Sequence, residues 1–121
     1  MTRTIRTAAL GAAAMLAVAA PIAMPHAELT KTNPKAGSTV KKLPKVITLT
    51  FGEAIGKAFP ATVKHDGMNH ASRTRVNPRN RKQVQIFTSG SMDATYRVTW
   101  RVVSADGHAV RGSFRFTVKS S

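Results

Sequence analysis

An all-β sandwich or barrel is the fold class this sequence predicts. Three observations point to it. Several short segments alternate apolar and polar residues with a period of two. Turn residues recur between them: Pro34, Gly37, Pro44, Gly52, Gly56, Pro60, Asp66-Gly67, Asn77-Pro78, Gly90 and Asp106-Gly107. No segment after residue 25 sustains a helical period. The chain has 121 residues, enough for one domain. It has no cysteine, so disulfides, thiolate metal sites and a cysteine nucleophile are excluded, and the core alone must hold the domain together.

The strands follow in chain order. In VITLTF (46–51), Ile47, Leu49 and Phe51 share one face while Thr48 and Thr50 take the other. ATVK (61–64) is a weaker run and VQIF (84–87) a short one. In YRVTWRVV (96–103), Tyr96, Val98, Trp100 and Val102 point inward, and Arg97, Thr99 and Arg101 point outward. Trp100 and Tyr96 are therefore core residues, not stacking platforms for bases. FRFTV (114–118) repeats the pattern, with Phe114, Phe116 and Val118 inward. The basic stretch RTRVNPRNRK (73–82) reads as a loop or poorly ordered connection.

The N-terminus reads as a secretory signal peptide over residues 1–25, followed by one domain over 26–121. Arg3 and Arg6 form the charged n-region, and residues 8–20 form an apolar run too short for a comfortable membrane span. Two cut sites are open. A cut after Ala17-Val18-Ala19 satisfies the small-residue rule and releases a chain starting at Ala20; a cut before His26 leaves Pro25 beside the scissile bond. The second removes two arginines and no acid, taking the formal charge from +14 to +12.

That charge favours anionic partners such as acidic lipid or polysaccharide, and the export signal speaks against nucleic acid. The outward strand arginines also have a plain role as solvated surface.

One short stretch carries chemistry. In SADGH (104–108), Asp106 and His108 are two residues apart, which puts both side chains on one side of an extended chain. A carboxylate and an imidazole are two ligands for a divalent ion, and N/O donors in tetragonal geometry suit Cu(II). The same residues also read as a simple turn beside a strand.

The longer context of that stretch is more specific. HAELTKTNPKAGSTVKKLPKVITLTFGE, followed at a distance by YRVTWRVVSADGHAVRGSFRFTV, resembles the CopC family of periplasmic copper-binding proteins. The elements are His26-Ala27-x-Leu29, Pro34, Gly37-Ser38, Pro44, the strand and glutamate at 47–53, and the closing block at 96–112. Residues 56–92 match poorly.

The resemblance implies a Greek-key β-sandwich of about seven strands, of the immunoglobulin or cupredoxin-like type. It implies one Cu(II) per chain, held by the amine and imidazole of an N-terminal His26 with Asp106 and His108. Glu53 would be an outer-shell partner, and an exposed strand-end glutamate is an equal reading. Some members carry a methionine-rich loop for Cu(I). Here only Met68 and Met92 follow residue 26, so HDGMNH (65–70) reads either as a remnant Cu(I) site on Met68 and His70 or as a hairpin turn at Asp66-Gly67.

The expected function is copper buffering or delivery in the periplasm, by a monomer that hands copper to a membrane or soluble copper-handling protein. Two alternatives stand beside it. One is a basic exported module for anionic surfaces. The other, a copper-dependent oxidative enzyme, is disfavoured because an Asp106 ligand would fill a position that oxygen chemistry needs open.

Overall fold

The computed structural model describes residues 27–121. The expected signal peptide over 1–25 and the expected ligand His26 lie outside the described residues. What is described is all-β, in two sheets that form a sandwich. The first sheet has the order β1-β3-β8-β7, from Leu29–Asn33 (β1), Val46–Phe51 (β3), Gln83–Thr88 (β8) and Ala71–Val76 (β7). The second has the order β2-β10-β9-β5-β6, from Thr39–Val40 (β2), Ala109–Val118 (β10), Ala94–Ser104 (β9), Thr62–His65 (β5) and Met68–Asn69 (β6). Ile55–Ala58 (β4) joins the second sheet by pairing with the far end of β9.

About seven strands are expected from the sequence, and ten segments are assigned among the described residues. Part of the excess is β2 and β6, pairings of two residues each. The stretch 73–82 corrects the expectation of a loop. Its first half is most of β7, and the turn begins only at Asn77. Two features hide this strand from sequence patterning. It lies at the edge of its sheet, and its inward positions, Thr74 and Val76, are only half-buried, while the exposed Arg73 and Arg75 lie over an aromatic ring of the neighbouring strand. Their guanidinium groups lie 4.3 and 5.3 Å from the Phe87 ring centroid, within cation–π range.

The alternation in β3, β8 and β9 holds in three dimensions. Ile47, Leu49, Phe51, Val84, Ile86, Tyr96, Val98 and Val102 are all buried between the sheets, with Phe116 and Val118 from β10. Each such side chain contributes about 1.5–3 kcal/mol on burial, which lets the domain stand without disulfides. Phe114, expected inward with them, is only half-buried at the margin. Trp100 packs edge-on against Phe51, with ring centroids 5.2 Å apart. The residue facing it on β10 is Gly112, where a Cβ would sit 2.7 Å from Trp100 Cζ2; the indole needs that missing side chain. The Tyr96 hydroxyl donates to the Met92 carbonyl at 2.6 Å and accepts from the Met92 N–H, tying β9 to the loop that precedes it.

Candidate metal centre

The β9–β10 turn is built by Ser104, Asp106 and Gly107 together. Ser104 N–H donates to the His108 carbonyl at 2.9 Å, and Gly107 N–H donates to the Ser104 carbonyl at 2.8 Å. Gly107 has φ of 94°, which a glycine adopts without steric cost. The Asp106 carboxylate accepts the Ser104 hydroxyl proton, and its Oδ1 lies 3.1 Å from His108 Nδ1. The two candidate ligands are thus in contact, but through a tight turn rather than the extended chain expected from their spacing. Both side chains are about half exposed, at 48% for Asp106 and 57% for His108. The Ser104 hydroxyl, then the His108 imidazole and N–H, lower the Asp106 carboxyl to about 2, so it is ionised at any physiological pH.

Two backbone contacts bring other segments to this turn. Ala105 N–H donates to the Ala54 carbonyl at 2.9 Å, and Ile55 pairs with Ser104, so the residues after Glu53 run alongside the turn. Gly52 N–H donates to the Glu28 carbonyl at 2.8 Å, and Ala27 is fully buried. Ala27 and Glu28 therefore lie beside the bend that carries Glu53. Oε2 of Glu53 is buried and has no hydrogen-bond partner among the described residues. A buried carboxylate oxygen left unpaired is costly, so this atom calls for a donor or cation. Sequence reading named Glu53 from the resemblance alone; nothing in its local pattern signals the orphaned oxygen. Among the described residues, no third His, Asp or Glu joins Asp106 and His108 to complete a metal site.

The second candidate group lies elsewhere. Asp66 and Gly67 have φ of 46° and 80°, the pair of positive values that a two-residue type I′ hairpin needs. HDGMNH thus forms a hairpin with His65 opposite Met68. Met68 is 49% exposed, whereas His70 is buried and turned toward His65, not toward Met68. His70 Nδ1 lies 2.9 Å from the Ser89 carbonyl, an acceptor only, so His70 carries its proton there. His70 Nε2 lies 3.0 Å from His65 Nε2, so one ring donates to the other across this contact. The two rings stack, and both pack edge-on against Tyr96. Both histidines are visible in the sequence, but their pairing is not, because it depends on the fold of the hairpin. Tyr96 and Ser104 are eight residues apart on β9, about 27 Å at the usual rise, so the two histidine groups occupy opposite ends of the sandwich.

The CopC domain matches residues 29–119 of this chain. Protein YobA of Escherichia coli is 34% identical over 103 residues, covering 82% of this chain and 83% of YobA. Copper resistance protein C of Xanthomonas campestris pv. juglandis is 32% identical over 126 residues, covering 97% of each. The crystal structure of PcoC, a methionine-rich copper resistance protein from Escherichia coli, superposes with a TM-score of 0.63 at 33% identity, covering 78% of this chain and 99% of PcoC.

Proposed function

This chain belongs to the CopC family of periplasmic copper-resistance proteins, which bind copper and are not enzymes, and we propose that it holds one Cu(II) per chain. In this reading residues 1–25 are a cleaved signal peptide and residues 26–121 are the exported domain. The ligands are the amine and imidazole of His26, the Asp106 carboxylate and the His108 imidazole, with Glu53 as an outer partner. The protein buffers Cu(II) or passes it to a copper-handling partner in the membrane or periplasm.

The observation that carries the reading is the contact between Asp106 and His108 at the turn. An ionised carboxylate and an imidazole there are donors that suit Cu(II), and they are preset by Ser104. Two further features support it. Ala27, the residue after His26, is buried, and the Glu28 carbonyl that follows it accepts from Gly52 at the bend carrying Glu53. The unpaired Oε2 of Glu53 fits an outer partner that orients a ligating group.

Titration of the processed protein against competing chelators tests the proposal. One tight Cu(II) per chain is expected, with Zn(II) bound far more weakly, following the usual order of divalent affinities. A preference for zinc, or no site in the correctly processed chain, would overturn it.

A further inference from the structure

The registers of the second sheet align its outward cations in rows. Lys64 on β5 faces Arg97 on β9, which faces Arg115 on β10. One step along, Thr62 faces Thr99, which faces Ser113. One step further, Arg101 faces Arg111. Like charges directly opposite each other across an antiparallel pair are destabilising. Nothing on the described residues relieves them, because no Lys or Arg among those residues is ion-paired with a carboxylate. Arg97 donates only to the Ser113 hydroxyl, at 3.1 Å, and Arg101 lies over the Phe59 ring.

The other sheet is also basic but is arranged differently. There Lys31 faces Thr50, Arg75 faces Gln85, and Arg73 faces Phe87. Each cation is set against a neutral residue. Arg73 and Arg75 flank one ring on that sheet, but like charges that face each other across paired strands are found on the second sheet, so the facing does not follow from net charge alone.

We propose that the outward face of β5, β9 and β10 is a docking surface for an anionic phospholipid bilayer. The two cation rows lie about 13 Å apart along the strands, with the hydroxyl row between them. Forked guanidinium groups and hydroxyls match phosphate oxygens. A bilayer offers many phosphates in one plane and engages all five cations together, with weak attractions that add. An acidic protein partner fits less well. Protein interfaces rely on a buried apolar or aromatic anchor, and these rows contain none; the large exposed apolar residues, Met68 and Met92, lie outside them. The surface goes beyond the copper reading and does not depend on it.

Co-sedimentation of the exported protein with vesicles tests this. Vesicles with about 30% phosphatidylglycerol in phosphatidylcholine should bind it, pure phosphatidylcholine should not, and about 0.5 M NaCl should release it. Two double reversals change the net charge equally. R97E/R115E should lower vesicle affinity more than about tenfold, whereas K31E/R73E on the other sheet should lower it less than about threefold. R111E alone gives a second reversal on the docking face, should the double variant lose its native circular dichroism. Equal losses in the two double variants would reduce the effect to net charge and overturn the proposal. Failure to bind anionic vesicles would overturn it too, and binding to poly-glutamate instead would assign the face to an acidic protein segment.

Discussion

Oδ1 of Asp106 lies 3.1 Å from Nδ1 of His108 and also accepts the Ser104 hydroxyl proton. The serine hydroxyl therefore helps fix the direction of a carboxylate before any metal arrives.

The Ser104 hydroxyl is the largest of the influences that lower the Asp106 carboxyl to about 2. S104A should raise that value toward the ordinary 3.8, read by carboxyl NMR titration of the metal-free protein. The sign follows from linkage. A carboxyl lowered in the folded state adds stability that is full above its ordinary value and is lost as pH falls through about 2. The metal-free wild type should thus lose this contribution between about pH 4 and pH 2, and S104A should have less to lose. An unchanged Asp106 titration in S104A would contradict the assignment.

The two histidine groups should separate cleanly in mutants. H108A should lower Cu(II) affinity well beyond the ~10–100-fold typical of disturbing an outer partner, with the fold intact. H70A leaves His65 Nε2 and the Ser89 carbonyl without their partner, and should cost about 1–3 kcal/mol in urea unfolding with Cu(II) affinity unchanged. Loss of Cu(II) affinity in H70A equal to that in H108A would mean that the wrong histidines are assigned.

Asp106 and His108 supply half of a square of donors. The α-amine of a first-residue His26 can release its proton to copper near neutral pH, since such amines titrate near pH 8 in model peptides, whereas a peptide nitrogen after Pro25 cannot do so easily. A protein beginning at His26 should therefore bind Cu(II) far more tightly than one beginning at Ala20. Their Cu(II) EPR spectra should differ and their circular dichroism should not. Equal affinities and spectra would exclude the amine as a ligand.

G112A tests the packing that the β9–β10 hairpin requires. The new Cβ would meet the Trp100 ring at 2.7 Å, and relieving that overlap should cost about 1–3 kcal/mol in urea unfolding. A neutral effect would show that the indole has room to move.

The sequence by itself determined the all-β class, the faces of β3 and β9, and the closing motif that carries Asp106 and His108. These are legible because alternation over six or more residues admits one buried face, and because Asp-Gly marks a turn whatever surrounds it. Edge strand β7 was not legible, since its residues are mostly polar and its place is set by pairing with β8. The orphaned oxygen of Glu53, the pairing of His65 with His70 and the facing of Arg97 with Arg115 and of Arg101 with Arg111 were decided only in three dimensions. Each depends on which strand lies beside which and in what register. A shift of one residue would turn every side chain to the other face, and local sequence does not encode the partner against which register is set.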